Sequence, residues 1–131
     1  MKEIGNTEIT FEIPGELTDL NTHLDQARTH WAKSGELKKQ ETNKAKMIAS
    51  QYSGEFDEGD FPVDIHCHWV CKNRRKDKDN IRFAVKYILD GLELAGLIEN
   101  DGWNYVGSLS DTFAVDKENP RVEVTITATA N

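Results

Sequence analysis

Asp77 and Asp79 stand two residues apart. They close a run in which five of the seven residues from 72 to 78 are cations: Lys72, Arg74, Arg75, Lys76 and Lys78. In extended backbone, alternate side chains point the same way, so a D-x-D pair presents both carboxylates on one side. Hard cations such as Mg²⁺ take oxygen ligands. They use one or two carboxylates and fill the remaining positions with water and phosphate oxygens. Two carboxylates beside a cationic run therefore describe a place that holds a metal ion against a polyanion. A third carboxylate would complete it, and Asp101, in the ENDG turn at 99–102, is the candidate. The same residues have simpler uses. An aspartate before a helix caps it and complements its dipole, and a basic run is commonly a solvated loop or the guard of a sheet edge.

The element that must position these groups is a helix expected over 79–95. At about 100° per residue, Ile81, Ala84, Val85, Ile88, Leu92 and Ala95 fall in one sector, which makes a core-facing stripe. Asp79 is the expected N-cap, and Gly96 follows as the expected C-terminal stop. Opposite the stripe, Asp79, Lys86 and Asp90 share the polar face. Lys86 and Asp90 are four apart, so they also suit an ordinary helical ion pair. A 17-residue helix is about 25 Å long. Asp101 reaches the helix start only if the chain doubles back.

Around this helix the chain reads as β-α-α-β-α-β-β. TEITFEI (7–13) alternates as a strand does, and Pro14-Gly15 stops it. Residues 17–32 form an expected helix carrying Leu20, Leu24, Ala27 and Trp31. Ser34-Gly35 punctuates, and a second helix covers 36–52. SGEFDEGD (53–60) is an acidic loop, FPVDIHCHWVC (61–71) a strand, 103–113 contains a strand, and RVEVTIT (121–127) is the last one. Pro120 at its start is tolerated. One mixed sheet with helices packed against it, an α+β fold in a single domain over 1–131, is the packing this order calls for.

The whole chain sets bounds. Its 131 residues, 37% hydrophobic and 30% charged, suit one globular domain. The net charge of −7 means the bulk surface repels nucleic acid, so any such contact is confined to the run at 72–78. The apolar stretch LAGLI (94–98) falls far short of the ~20 residues a membrane helix needs. The opening MKEIGNTEIT lacks the apolar core of a signal peptide. Cys67 and Cys71, four apart in a strand, would sit roughly 13 Å from each other, beyond disulfide reach. That suits a reducing cytoplasm.

At this point the residues resemble a known family. DKDNIRFAVKYILDGLELAGLIENDGW (77–103) is similar to the RusA family of Holliday junction resolvases, particularly its phage-borne members. The similarity rests on Asp77-Lys78-Asp79-Asn80, on Lys86, on Asp90-Gly91-Leu92, on Ala95-Gly96 and on Asn100-Asp101. NPRVEVTI (119–126) resembles the family's last strand, and Pro14-Gly15 with Asn21 resembles its N-terminal pattern. The resemblance implies an α+β fold with a mixed sheet, a homodimer, and a Mg²⁺-dependent endonuclease (Mn²⁺ as substitute). Such an enzyme cuts four-way DNA junctions by paired symmetric nicks in a bacterial or prophage-encoded cytoplasmic setting. It implies metal ligation by Asp77, Asp79 and Asp101, with Lys86 as the catalytic lysine beside them. Two departures stand out. The family lysine usually follows the second aspartate by four residues, where this chain has Phe83. Lys86 matches only when counted back from Asp90. Asn100 also replaces an aspartate found in some members.

Two other classes compete. HCHWVC offers His66, Cys67, His68 and Cys71 to zinc, but strand alternation turns Cys67, Trp69 and Cys71 one way and both histidines the other. No second cysteine pair exists to complete a structural site. Buried cysteines acting as small hydrophobes are the simpler expectation. A non-catalytic branched-DNA-binding protein of the same fold, or a nuclease for other branched structures, is the second alternative. Trp31, Trp69 and Trp103 could each stack on bases, but core packing is the expectation for most of them, least so for Trp103 beside the acidic turn.

Overall fold

The computed structural model describes residues 7–29 and 31–128, with the side chains of Trp31 and Ala32 outside that description; the expectation for Trp31 therefore lies outside the described residues. Alternation builds the sheet. Strand β1 (Glu8–Pro14) buries Ile9, Phe11 and Ile13 and exposes the residues between them. Strand β4 (Arg121–Ala128) buries Val122, Val124, Ile126 and Ala128 in the same rhythm. Strand β2 (Val63–Cys71) turns Val63, Ile65, Cys67 and Trp69 to the core. Strand β3 (Val106–Val115) is largely exposed. The order is β1-β4-β2-β3. β4 runs antiparallel to both β1 and β2, while β3 runs parallel to β2. The protein is thus a small α+β domain with a mixed four-stranded sheet.

A parallel pair needs a crossover, and the segment expected as one helix supplies it in two pieces. Helix α3 is Lys78–Arg82 and helix α4 is Val85–Leu94. The expected continuous helix over 79–95 is broken at Phe83 and Ala84. There the bonding tightens, with Ala84 N–H reaching Ile81 O, Lys86 N–H reaching Phe83 O and Tyr87 N–H reaching Ala84 O. The apolar stripe still faces the core, since Ala84, Val85, Ile88 and Leu92 are buried. The break resets the helical phase, so Asp79 no longer shares a continuous polar face with Lys86. The N-cap is Asp77 rather than Asp79, in extended backbone and without a side-chain capping bond.

Helix α1 (Leu20–Thr29) buries none of its residues fully. Helix α2 (Trp31–Ala49) begins earlier than Ser34-Gly35 suggested and runs through them. A glycine in a helix costs only about 1 kcal/mol against alanine, and the space around Gly35 is open. α2 packs on α4 at Gly91. A Cβ there would stand 2.6 Å from Ala45 Cβ and 2.9 Å from Lys46 N, so only glycine allows this approach. No helix among the described residues is long and apolar enough to cross a membrane.

Candidate nucleic-acid and metal site

The basic run leaves the C-terminal end of β2 and enters α3, so it lies over the C-terminal ends of the two parallel strands. An open groove of about 720 Å³ forms there. Arg74, Lys76, Asp77, Lys78 and Asp79 line it from the loop and α3, and Phe113, Ala114 and Val115 from β3. Asp77 and Asp79 are both exposed. Asp79 accepts the Asn80 N–H at 2.9 Å. Asn80 is buried beneath them, and its side-chain oxygen accepts the Asn21 N–H at 2.9 Å, tying α3 to the start of α1. The D-x-D-N stretch thus divides its work: the aspartates face the groove and the asparagine anchors the backbone.

The five cations are not equivalent. Lys76 reaches back to Asp19 at 3.1 Å and Glu16 at 3.7 Å. Asp19 is almost fully buried. Burial alone would raise its carboxyl, but the hydroxyl and N–H of Thr22 and the Lys76 ammonium outweigh it and hold the pKa at about 2. Glu16 also accepts the Lys72 N–H at 2.7 Å, and Asn73 accepts the Arg75 N–H at 3.0 Å in a local turn. Lys78 lies over the Phe113 ring, 5.4 Å from its centroid. Among the described residues, the side chains of Lys72, Arg74 and Arg75 are exposed and have no ion-pair partner. These three carry the open positive charge.

Lys86 and Asp101 are brought together, but away from that groove. α4 ends in a Schellman turn in which Gly96, at φ +76°, donates to Glu93 O and Leu97 donates to Leu92 O. The chain then doubles back, and Asp101 comes to lie 3.5 Å from Lys86 Nζ. Asp90 lies 3.3 Å from the same nitrogen, so the expected helical pair forms as well. Partial burial would lower the Lys86 ammonium, but Asp90 and then Asp101 outweigh it and hold it above its ordinary value. Lys86 is therefore a fixed cation at neutral pH and not a base.

Asp101 does not line the groove of Asp77 and Asp79. Among the described residues, no three His, Cys, Asp or Glu side chains meet closely enough to hold one metal ion. The donors that do share a groove are two carboxylates. That pair suits a Mg²⁺ ion that completes its shell with water and phosphate oxygens. A three-aspartate set is not assembled within one chain.

Cys67 is buried, and that burial, with Asp111 adding to it and Arg82 opposing it, pushes its thiol up to about 12. It packs as a hydrophobe. Trp69 is buried, with its indole N–H on Asp111 at 2.8 Å, and Arg82 holds the other Asp111 oxygen at 2.7 Å. Trp103 is 96% exposed, so the core expectation for it fails. The acidic ENDG turn carries it outward, with Gly102 N–H on the Asn100 side-chain oxygen. Residue-by-residue reading missed Phe113, because its place at the groove depends on the pairing of β3 with β2. The fold and groove define a small α+β domain with an acidic-and-basic cleft at the ends of two parallel strands. No family model matches the chain, and no curated protein matches it.

Proposed function

We propose that the chain is a RusA-like, Mg²⁺-dependent endonuclease acting on branched DNA, with the four-way junction as its substrate. The observation that carries this reading is the shared groove of Asp77 and Asp79, two exposed carboxylates flanked by Arg74 and Lys78. A surface of net negative charge offers a phosphate backbone few other places to lie. Arg74, Arg75 and Lys72 would hold that backbone by displacing its counterions, which gives salt-sensitive affinity without reading sequence. Asp77 and Asp79 would hold Mg²⁺, which when bound supplies an activated water and neutralises charge on the leaving oxygen. Lys78, seated on Phe113, would sit as a fixed cation beside the phosphate. Lys86 and Asp101 belong to this function through the family resemblance. Their ion pair, outside the groove, supports a positioning role for the turn that carries Trp103, whose exposed ring offers a stacking face for an unpaired base.

The homodimer is part of the same proposal. β3 ends the sheet. Over 106–115 it has neither proline nor lysine, the residues that commonly blunt an edge. Two copies could pair there about a two-fold axis, matching two symmetric nicks. The alternative of binding without cleavage is favoured by one feature: among the described residues, no third carboxylate lines the groove. Cleavage of a labelled synthetic four-way junction in Mg²⁺ decides between them, with linear duplex and the Asp79→Asn variant alongside. Paired nicks that vanish in the variant support the nuclease. Tight junction binding without cleavage in Mg²⁺ or Mn²⁺ supports the binding protein.

A further inference from the structure

The face of the sheet turned away from the helices carries a group that the nuclease reading does not use. His66 and His68 project from this face of β2 and are half-buried. Their partners across the parallel pairing are Ser110 and Thr112 of β3. His66 Nδ1 lies 2.7 Å from Ser110 Oγ, and its Nε2 lies 2.8 Å from Thr112 Oγ1. His68 Nδ1 lies 2.6 Å from that same threonine oxygen. Two imidazole nitrogens from alternate residues of one strand therefore converge on a single point, and a hydroxyl marks it. A hydroxyl has one proton to give, so it can donate to one ring and accept from the other. With Ser110 accepting from His66 Nδ1–H, the Nε2 lone pair of His66 points at the meeting place. A ring nitrogen held by a partner in this way is how proteins orient a histidine that ligates a metal.

We infer that His66 and His68 form a binding site for a first-row divalent transition ion such as Zn²⁺ or Ni²⁺, distinct from the carboxylate groove. Imidazole nitrogen suits these ions, whereas Mg²⁺ prefers carboxylate, carbonyl and water. Ligand bonds of about 2.0–2.1 Å draw both rings inward from where the hydroxyl now separates them. Rotation about their side-chain torsions supplies that movement. The Thr112 hydroxyl gives up its place, and water fills the open coordination positions. Across the sheet, β4 sets Thr125 opposite His66 and Glu123 opposite His68. Glu123 is taken up by Arg121 at 2.8 Å, so it does not compete for the rings. The zinc site weighed from HCHWVC joined histidines to cysteines, and the strand keeps those on opposite faces. Here the histidines act without them.

The test is calorimetric titration of the full chain with ZnCl₂ and, separately, NiCl₂, together with long-range ¹H–¹⁵N spectra of the histidine rings. One equivalent of ion should bind the wild type and shift the rings of His66 and His68 but not that of His23. His66→Ala and His68→Ala should each weaken binding tenfold or more. Thr112→Ala, which clears the meeting point and leaves both rings, should bind at least as tightly as the wild type. An Asp77→Asn, Asp79→Asn double variant should bind as the wild type does. The inference is overturned if neither ion shifts the two rings at tenfold excess. It is equally overturned if binding survives loss of both histidines, or if it disappears with the two aspartates. Junction cleavage plays no part in these outcomes, so they stand apart from the fate of the nuclease reading.

Discussion

At the groove, Asp77, Asp79 and Arg74 stand exposed, and Arg75 is exposed on the same loop. A helix further along, Lys86, Asp90 and Asp101 neutralise one another, and Lys76 is held by Asp19 and Glu16. These residues come from the same short stretch of chain and are of the same types, yet the fold treats them in opposite ways. Charges closed up among themselves serve the architecture: Lys76 fastens the loop after β2 to the lead-in of α1, and Lys86 fastens the returning turn to α4. Charges left open make no ion pair with another described residue. An open carboxylate pair is a surplus the fold does not require, and this separates a candidate site from charged surface in general.

The largest effect should follow from breaking the open set. Asp77→Asn and Asp79→Asn should each reduce junction cleavage by 100-fold or more, or about 3 kcal/mol of transition-state stabilisation. Neither carboxylate is buried and Asp77 makes no capping bond, so the melting temperature should barely change. A variant that loses activity and unfolds would place these aspartates with the closed charges. The next effect concerns the two open arginines. Arg74→Ala with Arg75→Ala should weaken junction binding and lower the salt slope of affinity by roughly one per arginine. Lys76→Ala should leave that slope unchanged and lower stability instead. A filter-binding series across salt concentrations separates the two.

A smaller effect belongs to Asp19. It accepts the Thr22 N–H at 3.1 Å, in the manner of an N-cap at the start of α1, and Asp19→Asn should cost on the order of 1 kcal/mol at neutral pH. Its folded carboxyl is depressed to about 2, while an unfolded one titrates near 4. The contribution is therefore complete above about pH 4 and is lost as the pH falls towards 2. Urea midpoints of the wild type and Asp19→Asn should differ at pH 6 and converge near pH 2. A gap that stays constant across that range would remove the carboxylate's charge from the explanation.

How much of this was readable from the chain follows the range of the interactions. Alternation in 7–13, 61–71 and 121–127 is a local property, and β1, β2 and β4 lie within a residue or two of where it put them. Asp77 and Asp79 do line one groove, but not by the extended geometry read from D-x-D: only Asp77 is extended, and Asp79 lies in the first turn of α3. The stripe of Ile81, Ala84, Val85, Ile88 and Leu92 is satisfied by a continuous helix and by a broken one alike, so the break at Phe83–Ala84 left no mark in it. Gly35 looked like a stop because propensity was read without the tertiary packing that overrides it. Lys76 meeting Asp19, Arg82 meeting Asp111 and Phe113 reaching the groove all depend on which strands and helices become neighbours. That is fixed by the whole sheet and not by any short window. Asp101 lies between these cases: the acidic turn was legible, but whether it faced Asp79 or Lys86 was not.

The smallest predicted effect tests that last division. If Asp101 is a closed charge, Asp101→Asn removes one of two partners from a half-exposed lysine. Exposed pairs of this kind contribute about 0–1 kcal/mol, so the melting temperature should shift only slightly. Cleavage should fall at least tenfold less than with Asp79→Asn, because Asp101 stands outside the groove. Lys86→Met should resemble Asp101→Asn in stability, since each breaks the same contact, and the double variant should cost less than the two single changes added together. Parallel single-turnover assays and thermal melts on the three variants supply the comparison. Should Asp101→Asn abolish cleavage as completely as Asp79→Asn while its melt stays put, Asp101 would have to work somewhere other than on the Lys86 of its own chain. The division between open and closed charges would then hold for the isolated chain but not for the assembly that cuts DNA.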